Sequence, residues 1–162
     1  MQDKNDLLAG QVFTSSSGKL PCKCVIHAVG PRWRGGTHGE HNELFEAIVG
    51  SLEEAEKISV KSLAMPIISS GIFGFPLDEA SRVICEAIAY FFQTKQSGVI
   101  DEVHLIDTKE PGGRSIKKAV QKYLCHGPSH SSVQNVDLPT GKVRDLFSLD
   151  GSSVLRFVGS NY

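Results

Sequence analysis

The stretch Ser62-Leu63-Ala64-Met65-Pro66-Ile67-Ile68-Ser69-Ser70-Gly71-Ile72-Phe73-Gly74-Phe75-Pro76 decides how this chain folds. Residues 62–68 form a short apolar run that suits a buried strand. The rest is a loop with two serines, two glycines and two phenylalanines. A helix is predicted directly after it, over 77–95, because Ala80, Val83, Ile84, Ala87, Ile88 and Phe91 recur at helical spacing. Pro76 suits its first turn, and Asp78 and Glu79 suit the positive end of its dipole. Strand, loop and helix in this order form the unit of a layered α/β sheet, which binds ligands beyond the carboxyl ends of its strands.

Working outward, residues 22–29 (CKCVIHAV) are bounded by Pro21 and by Gly30-Pro31 and read as a strand buried on both faces. Leu44, Phe45, Ile48, Leu52 and Ala55 predict a helix over 40–57, with Glu43, Glu46, Glu53 and Glu54 mostly on its other side. Downstream, 102–107 (EVHLID) is a third strand. Residues 113–124 are a third helix, striped by Ile116, Ala119, Val120, Tyr123 and Leu124, with Lys117, Lys118 and Lys122 beside the stripe. The order βαβαβα predicts an α/β domain with mainly parallel strands over residues 1–125. Residues 126–162 are rich in Ser, Gly and Pro and read as a largely irregular linker into a following region. A strand at 154–158 (VLRFV) docking on the sheet edge is the second choice.

Composition narrows the function. A length of 162 residues allows one domain, or one domain and a tail. Hydrophobic residues at 40% and charged residues at 22% exclude wholesale disorder. A net charge of -1 lacks the basic footprint of a duplex-DNA binder, and Arg32-Trp33-Arg34 alone is a weak nucleic-acid signal. No run approaches the ~20 apolar residues of a membrane span, and the start MQDKNDLLAG is no secretory signal. Cys22, Cys24, Cys85 and Cys125 lack paired zinc spacing and read as reduced cysteines of a cytosolic or nuclear protein.

The loop carries the chemistry. It is neither GxGxxG nor GxxxxGK[ST]. Gly71 and Gly74 let backbone approach a ligand, Ser69 and Ser70 add hydroxyl donors, and the helix start adds free N–H groups. Together they suit a phosphate. Phe73 and Phe75 either wall a pocket for a sugar or base, or cap the core. His38 and His41 around Glu40 do not make HExxH and read as a solvated helix start. His27 reads as a hydrogen-bonded core histidine, and Trp33 as a loop side chain packed on the domain. Cys125-His126 are adjacent and do not face each other, and Ser69 and Ser70 lack the GxSxG elbow. No catalytic or metal-binding residue is assigned.

Residues 67–76 resemble the second ligand loop of macrodomains, and residues 20–31 resemble the strand before that family's long helix, at matching spacing. The set is most similar to the tandem macrodomains of vertebrate poly(ADP-ribose) polymerase-like proteins, over about residues 6–125. The resemblance implies a three-layer α/β/α sandwich with a mixed, mainly parallel sheet. It implies ADP-ribose as ligand, with no cofactor, and ADP-ribosylated proteins as partners of a nuclear or cytoplasmic, transcription-linked protein. The amides of Ser70, Gly71, Ile72, Phe73 and Gly74 would wrap the diphosphate, with Ser69 and Phe75 completing the loop. Phe73 would lie near the distal ribose, and Asp107 and Thr108 toward the adenine.

The family's opening strands, its asparagine- and glycine-rich first ligand loop and an adenine-reading acid have no counterpart in this chain. The resemblance therefore implies a partial macrodomain that lacks its first strands. Removal of ADP-ribose from acidic side chains is the alternative activity and needs that first loop. A non-binding scaffold is the remaining alternative. In the family a strand lies between those at 24–29 and 63–68, so two exposed edges and a less stable sheet are expected here.

Overall fold

The computed structural model describes residues 7–94, 98–124, 142–147 and 153–158. The periodic apolar stripes become helices with nearly the expected bounds: α1 (Glu40–Lys57), α2 (Leu77–Thr94) and α3 (Glu110–Tyr123). Helix α3 begins earlier than predicted because Pro111 fits a first turn, where its missing N–H is not needed. The strands are β1 (Val12–Ser16), β2 (Cys24–Ala28), β3 (Ser62–Pro66), β4 (Glu102–Asp107), β5 (Lys142–Phe147) and β6 (Ser153–Val158).

They form two sheets, β1-β2 and β3-β4-β6-β5. Strands β3 and β4 are parallel, with Ser62 opposite Glu102 and Pro66 opposite Ile106. The other pairs, β1 with β2, β4 with β6 and β5 with β6, are antiparallel. The arrangement is mixed, as expected, but only one of its four pairs is parallel. Short links join β1 to β2 and β5 to β6, and a short link permits only antiparallel pairing. Strand β1 was not expected from its polar sequence VFTSS. Strands β5 and β6 lie inside the stretch read as largely irregular linker; β6 pairs with β4, and β5 lies outside it at the edge. Cys125 and His126 lie outside the described residues.

The helices lie side by side, α1 on α2 and α2 on α3. Beneath them Leu44, Ile48, Leu52, Phe75, Val83, Ile84, Ile88, Phe91, Met65, Val103, Leu105 and Ile116 make one core. Helices α2 and α3 are also tied by a polar chain. The Ser115 hydroxyl donates to Asp78 Oδ1 at 2.7 Å and lies 3.0 Å from the buried Ser81 Oγ. Of the expected three layers, the described residues contain the helices on one face of the sheet. On the other face Ser62, Ala64 and Pro66 are exposed. Lys23 Nζ donates to the carbonyls of Ile58 (2.8 Å) and Ser59 (3.4 Å), where a cation offsets the negative end of α1. His27 departs from its expected core position. It is exposed, 2.8 Å from Ser15 Oγ and stacked on Phe13, because strand alternation turns it away from α1.

Candidate functional site

At the carboxyl ends of β3 and β4 lies a cavity of about 430 Å³. Ala64, Met65, Pro66 and Ile67 line it from β3 and its extension, Ile106, Asp107 and Thr108 from β4, and Ser70 and Gly71 from the loop. The structure thus brings the expected adenine-side pair Asp107 and Thr108 together with Ser70 and Gly71. Ser69, Ile72, Phe73, Gly74 and Phe75 do not line this cavity.

The loop uses some of its own amides and leaves others free. Ser70 N–H donates to Ile67 O (3.3 Å), Gly74 N–H to Gly71 O (3.0 Å) and Phe75 N–H to Ser69 O (3.0 Å). The Ser70 hydroxyl donates to Ile67 O at 2.7 Å. The N–H groups of Gly71, Ile72 and Phe73 have no acceptor among the described residues. Three successive turn amides of this kind form a concavity for an anion, next to the positive end of α2. Of the five amides expected to wrap a diphosphate, Ser70 and Gly74 hold the turn and the middle three are available. Gly71 has no atom within 4 Å of a would-be Cβ, so the space beside it is open.

The phenylalanines divide the two roles left open by the sequence. Phe75 is buried, with ring centroids 4.6 Å from Trp33 and 5.5 Å from His41, and caps the core. Phe73 is half-buried beneath the Arg32 guanidinium, 5.3 Å from its ring centroid. Ile72 is fully exposed.

A second loop braces the first. Trp33 N–H donates to Phe73 O at 2.9 Å. Gly30 packs so closely that a Cβ there would lie 2.1 Å from Ser69 Oγ. Ser69 itself sits at φ 67°, and its buried hydroxyl has no partner among the described residues. The 31–38 segment is pinned by Glu40, which is fully buried. Its carboxylate accepts N–H bonds from Arg34 (2.8 Å), Gly36 (3.2 Å) and His38 (2.7 Å). Burial pushes this carboxyl up, but hydrogen bonds from backbone amides outweigh it and hold its pKa at about 2. Nearby, Arg82 and then His41 hold the Glu79 carboxyl below its ordinary range by hydrogen bonding. His41 Nε2 thus lies 3.1 Å from Glu79 Oε2, a hydrogen-bond partner rather than a merely solvated side chain. Asp107 is partly committed, since its Oδ1 accepts the Lys109 N–H at 2.6 Å. Glu40, Gly30 and Arg32 were not expected in this assembly. The glycines at 35, 36 and 39, all at positive φ, were the available signal for a tight turn needing an acceptor.

The macro domain family model matches residues 1–84. This chain belongs to the macro domain family. Protein mono-ADP-ribosyltransferase PARP14 of Homo sapiens is 43% identical over 117 residues, covering 71% of this chain and 6% of that protein. An O-acetyl-ADP-ribose deacetylase of Citrobacter rodentium is 39% identical over 88 residues, covering 54% of this chain and 50% of that enzyme. The solved Oceanobacillus iheyensis macrodomain with ADP superposes with a TM-score of 0.63 at 27% identity, over 71% of this chain and 59% of that one. The macro domain described here thus spans about half or less of these curated relatives. No helix among the described residues is long and apolar enough to cross a membrane.

Proposed function

We propose that this chain is a binding module for ADP-ribose, free or attached to protein, whose diphosphate rests on the amides of Gly71, Ile72 and Phe73. The observation that carries this reading is the run of three unpartnered amides beside the cavity at the ends of β3 and β4. Phe73 offers a ring face to the distal ribose, and Thr108 and Asp107 meet the adenosine end. The ligand-binding unit lies within residues 1–125 of a poly(ADP-ribose) polymerase-like regulatory protein of the nucleus or cytoplasm.

ADP-ribose at 100 times its dissociation constant stabilises the folded state by about 2.7 kcal/mol. That corresponds to a rise of roughly 5 to 10 °C in Tm for a domain of this size. Gly71→Glu places a carboxylate against the amides in an open position, so it is expected to fold and to show no rise. A folded wild-type chain that does not shift, or a variant that shifts like wild type, overturns the assignment. The deacetylase relative supports hydrolysis as a second reading. Release of label from an ADP-ribosylated glutamate substrate tests it.

A further inference from the structure

Helices α1, α2 and α3 lie in one layer, with α1 on one flank of α2 and α3 on the other. Their inner stripes enter the core, so their outer sides form one solvent-facing surface. That surface changes sign across its width. On α1, Glu46 and Glu53 are exposed. On α2, Arg82 bonds to both Glu79 and Glu86, at 2.9 Å each. On α3, Arg114, Lys117, Lys118 and Lys122 are exposed, and Lys109 precedes them at its N-cap. The countercharges at the ends of these strips are internally tied: Lys57 to Glu54 on α1, at 3.3 Å, and Glu110 to Arg114 on α3. The acidic half also carries an aromatic ridge. Tyr90 is 49% exposed, and its ring centroid lies 5.4 Å from that of half-buried Phe45. Half-buried Val49 sits one turn along α1 from Phe45.

We propose that this layer is a docking surface for a second copy of the chain, met face to face about a twofold axis running along α2. Rotation about that axis lays α1 of each copy over α3 of the other, and α2 over α2. Each acidic strip then meets a basic strip, twice per dimer. The same patch serves both copies, so the contact is closed and stops at two. A twofold axis running across the helices sets α1 over α1 and α3 over α3, like charge on like, and is repulsive.

The size of the surface fits. Helices of 18, 18 and 14 residues, each about 10 Å across with a rise of about 1.5 Å per residue, present roughly 750 Å². A stable interface takes about 800 Å² from each partner. Tyr90 and Phe45 supply the aromatic contact that the centre of such an interface favours. A partner of a single sign answers only half of this surface, whereas a second copy answers both halves at once. Because the strips are solvent-exposed, the association is weakened by salt.

The test is sedimentation equilibrium of the full chain over a range of protein concentrations. At about 0.05 M salt the mass is expected to rise with concentration and level at two copies, and at about 0.5 M salt to stay closer to one. Two charge-reversed variants follow, Glu46→Lys with Glu53→Lys, and Lys118→Glu with Lys122→Glu. Each alone is expected to weaken self-association by about tenfold or more. An equimolar mixture of the two is expected to restore it, because opposite signs again face each other at both contacts. That rescue also shows that both variants fold. A chain that stays monomeric at low salt overturns the proposal and leaves the surface to a different partner. A mass that climbs past two copies, association indifferent to salt, a variant that dimerises like wild type, or a mixture no tighter than its components overturns it as well.

Discussion

The two faces of β3 and β4 are built from alternate residues of the same strands, yet they do opposite things. On the inner face Met65, Val103 and Leu105 are at most 5% exposed beneath the helices. On the outer face Ser62, Ala64 and Pro66 are open, and His104 and Ile106 are half-buried. The period of two that defines a strand thus separates a face that holds the domain together from one whose Ala64, Pro66 and Ile106 border the cavity at the strand ends. Substitutions on the two faces should therefore separate stability from recognition.

Phe91→Ala, on α2 in the core that covers the inner face, is the hardest test of that side. Phe91 is 1% exposed, and its loss should cost about 3–5 kcal/mol in denaturant unfolding while the remaining folded protein binds ADP-ribose normally. Gly30→Ala breaks the separation, since its Cβ would meet Ser69 Oγ at 2.1 Å and Ile68 Cγ2 at 2.5 Å. It should cost about 1–3 kcal/mol by overpacking and also weaken ADP-ribose binding, measured by calorimetry.

Glu40→Gln sharpens the comparison through pH. The carboxyl of Glu40 falls from an ordinary value of 4.5 to about 2 in the folded state, so its contribution is present above pH 4.5 and is lost as pH drops toward 2. Urea midpoints taken between about pH 5 and pH 2 should fall less steeply for the variant than for wild type. The smallest effect belongs to the outer face. Ala64→Ser is expected to change stability by within about 0.5 kcal/mol, checked by urea unfolding.

The helices were legible because a one-sided apolar stripe leaves little choice of register: Leu44, Ile48, Leu52 and Ala55 all enter the core. The 69–75 loop was legible as strand, glycine loop and helix start. Strand β1 was not, because Thr14, Ser15 and Ser16 look like loop residues until β2 supplies their backbone partners. The same holds for β5 and β6, whose pairing is long-range and leaves no helical period to detect. Glu40 read only as part of a solvated helix start between His38 and His41. Only the folded turn shows three amides converging on it. The division of labour between Phe73 and Phe75 depended on Trp33 and Arg32, which are about forty residues away in sequence.

The bracing of the 69–75 loop bears on how fast a ligand is captured. Both ends of the turn are fastened, by Phe75 to Ser69 and by Trp33 to Phe73, and the ordering entropy has been met during folding. The amides of Gly71, Ile72 and Phe73 are already without an acceptor among the described residues when an anion arrives. Association should then proceed in a single phase whose observed rate rises linearly with ligand concentration, with no plateau from a slow rearrangement.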